Sequence, residues 1–191
     1  MTVDAYEKDP VISVVLDEIN NQYPRVVNVF NTDVATARLT PSYYDTVMME
    51  SVFQHFISAK DAYQVMKKGF DSLKPGGYAY LRAVGTHDSA FEWFQGAANS
   101  PYSRVEELSK NCFIGTCHCS GEEKVEPMLF FDPLELPLFW EQNGMKLVDV
   151  QILPQQDGFN IMYGETYDDG SPPENRKGMI GGFITLIGRK Q

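Results

Sequence analysis

The chain has 191 residues, 43% hydrophobic and 13% aromatic, which suits one domain with a substantial core. A formal net charge of −10, with no Lys/Arg cluster, disfavours nucleic acid and anionic membrane surfaces as partners. No run approaches the roughly eighteen apolar residues of a membrane span. The opening MTVDAYEKDP lacks the basic and apolar regions of a signal peptide. Three cysteines, an odd number, point to reduced thiols and a cytoplasmic setting rather than a disulfide framework.

In chain order, Thr2–Ala5 reads as a short strand ending in Asp4. Asp9-Pro10 has the form of a helix cap followed by the favoured first-turn proline. Val11, Ile12, Val15, Leu16 and Ile19 then share one helical face through about Asn20. Their β-branching leaves a strand at Val11–Leu16 as the competing reading, and the cap favours the helix. Arg25–Phe30 reads as a strand followed by the polar turn Asn31-Thr32-Asp33. Tyr44–Met49 is a strand with Val47 and the methionines expected to be buried. Ala62, Val65, Met66, Gly69, Phe70 and Leu73 recur at helical spacing, predicting a helix over Ala59–Ser72. Lys74-Pro75-Gly76-Gly77 reads as a stop signal, and Tyr78–Val84 as a second buried strand. Strand, helix and strand at this spacing make a right-handed parallel crossover, so the class is α/β.

Gly85-Thr86-His87-Asp88 follows at the carboxyl end of that strand, the edge where open α/β sheets bind ligands. Phe91, Trp93, Phe94 and Tyr102 could shape an acceptor pocket or pack a cap helix onto the sheet, the commoner arrangement. Residues 99–127 are expected to be an irregular insertion. Its Cys112, Cys117, His118 and Cys119 lack a CxxC pair, so no metal is assigned and reduced thiols are expected. Pro133–Asn143 reads as a helix capped by Gly144, Met145–Leu153 as a strand, 155–177 as a long polar loop, and Gly182–Arg189 as the last strand. No repeat or linker divides the chain: a single domain over 1–191 is expected, with an insertion or lid at about 88–135.

Three stretches carry a family resemblance: Asp45 in its strand, Val52-Phe53-Gln54-His55-Phe56, and Leu73-Lys74-Pro75-Gly76-Gly77. In this order they resemble the fourth strand, following helix and fifth strand of class I S-adenosylmethionine-dependent methyltransferases. The terminal helix and strand pair resemble the end of the same fold. The resemblance implies a Rossmann-like, mostly parallel sheet with an antiparallel final strand, S-adenosylmethionine as cofactor, and O- or N-methylation of a small-molecule acceptor. It implies that Asp4 holds the cofactor's ribose, that Asp33 accepts from the adenine amino group with Val34 beside the ring, and that Met49 and Glu50 complete the cofactor contacts. Asp4 as a frayed terminal residue and Asp33 as an ordinary turn aspartate are the plainer readings. His87, oriented by Asp88 or another acid, and His55 are the candidate catalytic bases. His55 could equally pack beneath the site.

The family's first strand, which lies centrally in its sheet, and its glycine-rich loop have no counterpart in this sequence. A truncated or fragmentary chain, a homodimer or partner subunit that completes the sheet, or a degenerate site would each account for that. The alternative function is a non-catalytic methyltransferase-like subunit that scaffolds or activates a partner. Another nucleotide-binding α/β fold is a weaker third reading.

Overall fold

The computed structural model describes residues 3–22, 27–50, 52–98, 100, 102–117, 123–153 and 182–191. The chain forms two compact units, Met1–Thr40 and Pro41–Gln191.

In the first unit, β1 (Val3–Glu7) and β2 (Val27–Asn31) pair in parallel, connected through α1 (Pro10–Gln22). Asp9 caps the helix as its sequence suggests, accepting from the Val11 N–H at 2.8 Å. The β-branched run Val11–Leu16 is therefore helical: the cap outweighs local strand preference. Its apolar side chains, however, face solvent. Val11, Ile12, Val14, Val15 and Ile19 are all exposed, and Ser13 is the one buried residue of α1.

The second unit is built on a four-stranded sheet in the order β3 (Tyr44–Glu50), β4 (Leu73–Val84), β9 (Phe183–Lys190), β8 (Met145–Leu153). Only β3 and β4 run parallel; β4–β9 and β9–β8 are antiparallel. The antiparallel final strand is as the sequence suggested, but the sheet is mixed rather than mostly parallel, because β1 and β2 pair in a sheet of their own and leave one parallel pairing here. The crossover helix α2 (Ala59–Ser72) has the predicted bounds. Ser58 caps it, and Ala62, Val65, Met66, Gly69 and Phe70 are buried. Lys190 tethers its far end by donating to the carbonyls of Asp71 and Leu73. The Lys74-Pro75-Gly76-Gly77 stop signal ends α2 but lies within the span of β4. Tyr44 pairs with Leu73 and Thr46 with Tyr78, so these residues bulge out of the ladder, with Gly76 at φ 81°.

Strand alternation sorts the core. Ala79, Leu81 and Ala83 are fully buried, as are Leu186 and Ile184 across the antiparallel pair. Met49 is level with Leu81 and is buried, whereas Met48 points to the other face and is 68% exposed, against expectation. Helix α4 (Glu135–Gln142), capped by Gly144 at φ 78°, buries Trp140 against Phe70 with ring centroids 4.9 Å apart.

The expected irregular insertion is regular. After α3 (Ser89–Phe94), β5 (Tyr102–Ser109), β6 (Cys112–Cys117) and β7 (Lys124–Leu129) form an antiparallel sheet. Asn111 turns the first hairpin at φ 60°. Trp93, Phe94, Phe113 and Phe130 form a buried aromatic cluster, with Phe91 and Tyr102 packed against it. These aromatics therefore pack α3 onto the insertion. The predicted loop at 155–177 lies outside the described residues. Among the described residues no helix is long and apolar enough to cross a membrane.

Gly188 shows how tightly the core closes. A Cβ there would lie 2.8 Å from Cε3 of Trp140. Gly188→Ala is expected to cost about 1–3 kcal/mol by overpacking, measured by urea denaturation, with the far-ultraviolet circular dichroism of the native state retained.

Candidate functional site

Within each unit, taken by itself, polar side chains stand at the carboxyl ends of the parallel strands. In the first unit Asp4 is the second residue of β1, and Glu7 is the last. Asp4 therefore stands near the amino end, where Asn28, its partner in register, donates to Oδ1 at 2.7 Å. The acid at the carboxyl end of β1 is Glu7. The sequence reading put Asp4 at that end because it closed the strand early; Glu7 stands just before the Asp9-Pro10 cap. Asp33 lies just beyond β2, and its carboxylate accepts from the Ala35 N–H at 2.8 Å, forming an Asx turn. Its carbonyl accepts from Thr36 and Ala37, closing the turn that holds Val34. The Thr32 N–H donates to the Glu7 carbonyl at 3.0 Å, so Glu7 and the Asp33 turn share one rim.

In the second unit β3 ends in Met49 and Glu50. The buried Met49 side chain faces α2: a Cβ built on Gly69 would lie 3.5 Å from its sulfur. Any ligand contact from Met49 is therefore through its backbone. Glu50 turns to the other face and meets Arg82, its register partner on β4, at 3.4 Å. His55 ends a short 3-10 turn, Phe53–His55, in which Phe53 and Gln54 are buried while His55 itself is exposed. The turn's buried residues do the packing that His55 could have done. His87 is exposed on the turn after β4, its ring over Gly85 so closely that a Cβ there would collide with it.

That turn is held hard. Gly85 donates to the Gly182 carbonyl at 2.6 Å, Thr86 to Phe131 at 2.9 Å, and Phe131 to Val84 at 2.9 Å. Asp88, 4% exposed, accepts from Ala90 at 2.7 Å, capping α3, and from Gly182 at 2.8 Å through its other oxygen. Both oxygens of the expected His87 partner are thus engaged by backbone, and its first role is to fix the turn.

Other candidates have structural roles or lie outside the described residues. Cys112 is a buried free thiol that donates to the Phe56 carbonyl, and burial pushes its pKa up, partly opposed by a hydrogen bond to Ser109. It is a poor nucleophile. Cys117 is disulfide-bonded, which corrects the expectation of reduced thiols at that position. His118 and Cys119 lie outside the described residues. Among the described residues no three His, Cys, Asp or Glu side chains group as metal ligands. Tyr63 is pushed up to about 12, mainly by burial and then by Glu135 and Asp132, so it is a neutral packing residue.

No protein-family model matches the chain, and no curated protein matches its sequence. Solved structures do. A S-adenosylmethionine-dependent methyltransferase from Methanosarcina mazei aligns over 99% of this chain and 82% of its own, with a TM-score of 0.64 and 16% identity. The 1,6-didemethyltoxoflavin-N1-methyltransferase of Burkholderia thailandensis, solved with S-adenosylhomocysteine, aligns over 99% and 71%, with a TM-score of 0.53 and 10% identity. The [4+2]-cyclase SpnF aligns over 100% and 66%, with a TM-score of 0.60 and 11% identity.

Asp88→Ala is expected to leave the Ala90 and Gly182 N–H groups unpaired, at about 1–3 kcal/mol each if they stay buried. Denaturant midpoints would show the loss, and amide exchange at Gly182 should accelerate. The fold these neighbours share is the methyltransferase-like α/β fold, and at such low identity the likeness establishes that fold alone.

Proposed function

We propose that the chain binds S-adenosylmethionine and directs its methyl group to an oxygen or nitrogen of a small-molecule acceptor. One observation carries this reading. A fold likeness spanning the whole chain coincides with acids and histidines placed at the carboxyl ends of parallel strands. A ribose diol asks for acceptor oxygens at the rim; Glu7 stands there with Oε1 already accepting from the Asp9 N–H at 2.8 Å, which leaves Oε2 for the diol. The Asp33 turn, with Val34, suits an adenine edge. Asp4 is a brace between β1 and β2 in this reading, displaced from the cofactor role that the resemblance implied. The residues thus fit the adenosine half.

The methionine half asks for bare backbone that admits close approach, as a glycine-rich loop provides. The sequence has no such string. Our reading assigns that part to a partner subunit or second copy of the chain. Among the described residues β1 pairs only with β2 and β3 only with β4, so each has an edge to receive a strand.

When bound, the cofactor supplies an electrophilic methyl group on a sulfonium, open to in-line displacement. The chain's residues then hold the acceptor in line, a contribution of about 7–11 kcal/mol where alignment is good. His87, exposed on a turn fixed by Asp88, takes the proton from an acceptor O–H or N–H. His55 is the second candidate on this unit's rim. The alternative, a non-catalytic subunit that activates a partner, is favoured by the absence of the glycine-rich string.

Titration calorimetry with S-adenosylhomocysteine separates the two: micromolar binding is expected, and no binding by the chain favours the scaffold reading. Glu7→Gln should weaken binding by about tenfold, the value of one charge-assisted hydrogen bond, and Asp4→Asn should leave it unchanged. Once an acceptor is in hand, His87→Asn should lower kcat by about a hundredfold or more with S-adenosylhomocysteine affinity retained.

A further inference from the structure

Arg82 is the one arginine of β4, and it is 8% exposed. It lies level with Glu50, the last residue of β3, and so at the carboxyl rim of the parallel pair. Its guanidinium lies over the Phe183 ring, with Cζ 4.3 Å from the centroid. Nη1 alone has an ionic partner, and a loose one: Glu50 Oε1 stands at 3.4 Å, beyond the about 2.7–2.9 Å of a strong charge-assisted bond. Among the described residues, Nε and Nη2 are buried without a hydrogen-bond partner. A native fold rarely leaves two donors of one buried cation unpaired.

Which two donors are left is informative. The Nε–H and the adjacent Nη2–H point the same way from one edge of the planar group. That edge is a fork matched to the two oxygens of a carboxylate. We propose that this edge of Arg82 is a carboxylate-binding subsite, and that the acceptor carries a carboxylate group. The site itself stands on Arg82, Glu50 and Phe183; only calling its ligand the acceptor rests on the methyl-transfer reading.

The surroundings select within the class of oxyanions. Glu50 already places one carboxylate against Nη1, so a second monoanion brings the cluster to net −1, whereas a dianionic phosphate would bring it to −2 around one guanidinium. Phe183, 2% exposed, fixes the plane of the fork and offers no donor that would serve a phosphate. Glu50 is about half exposed, with 48% of its side chain accessible.

The test compares acetate, benzoate and phenylacetate with their primary amides by calorimetry on the full chain, wild type and Arg82→Met. At least one acid should bind about ten- to a hundredfold more tightly than its amide, the range expected of charge-assisted hydrogen bonds. Arg82→Met should erase that preference, and its thermal midpoint without ligand should equal or exceed the wild type, because a buried charge with idle donors has been replaced by an apolar chain. Arg82→Lys, which keeps the charge and loses the fork, should retain only part of the preference and serves if Arg82→Met does not fold. Equal binding of acids and amides would show that water alone satisfies the edge and would overturn the proposal. So would an acid preference that survives whole in Arg82→Lys, or displacement of the acid by S-adenosylhomocysteine. A titration with S-adenosylhomocysteine alone keeps the two readings apart. Cofactor binding without acid preference sinks only the subsite. Acid preference without cofactor binding supports the subsite and overturns the methyltransferase reading.

Discussion

How β4 ends decides what the second unit can do. At Val84 the strand leaves the sheet, and its next residues are gripped from two directions: Gly182 and Phe131 pair with the backbone, and Asp88 returns a carboxylate to Gly182. A buried carboxylate with both oxygens on backbone N–H groups leaves little freedom to the turn it closes. Gly182 is glycine because a Cβ there would run into the Asp88 backbone. His87 is therefore an exposed side chain on a rigid base, the combination a proton-transfer residue needs.

The same strand divides the sheet into a dry face and a polar one. Toward α2 it offers Ala79, Leu81 and Ala83, small enough for the helix to sit close and backed by Met66 and Phe70. On the other face stand Tyr78, Tyr80 and Arg82, with Thr46, Met48 and Glu50 beside them on β3. Structural and chemical duties thus fall on alternate residues of one strand. This is why Met49 and Glu50, neighbours in sequence, have unrelated roles: one packs the core and the other faces a guanidinium.

Much of this was legible in the sequence, for local reasons. Ser58 and Asp9 cap helices whose bounds the apolar spacing already marked, and Gly144 closes α4 as a residue with freedom at positive φ. The insertion was not legible. In β6, Cys112 and Phe113 are both buried, one beneath each face, so the alternation that announces a half-exposed strand is missing. The separation of β1 and β2 into a sheet of their own was hidden too, because which strands pair is set by long-range contacts that no local pattern records. Residue type and position were enough to single out His87, Glu50 and Asp33 as candidates, and each lies at or just beyond the carboxyl end of a parallel strand. Glu7 was lost to a strand boundary, always the softest part of such a reading. Arg82 carried no signal: a lone arginine in a strand looks like a solvent-facing residue until burial is known.

The exposed apolar face of α1 has a thermodynamic corollary. Among the described residues of the first unit only Ser13 and Ala37 are buried, so little hydrophobic area opposes local opening there. A nucleoside that relies on Glu7 and the Asp33 turn binds only the closed form of that unit, and its apparent affinity falls by the closed fraction. Whatever covers Val11, Val14 and Val15 would sharpen nucleoside binding without touching the ligand, making the occupancy of a hydrophobic surface a control on a polar site.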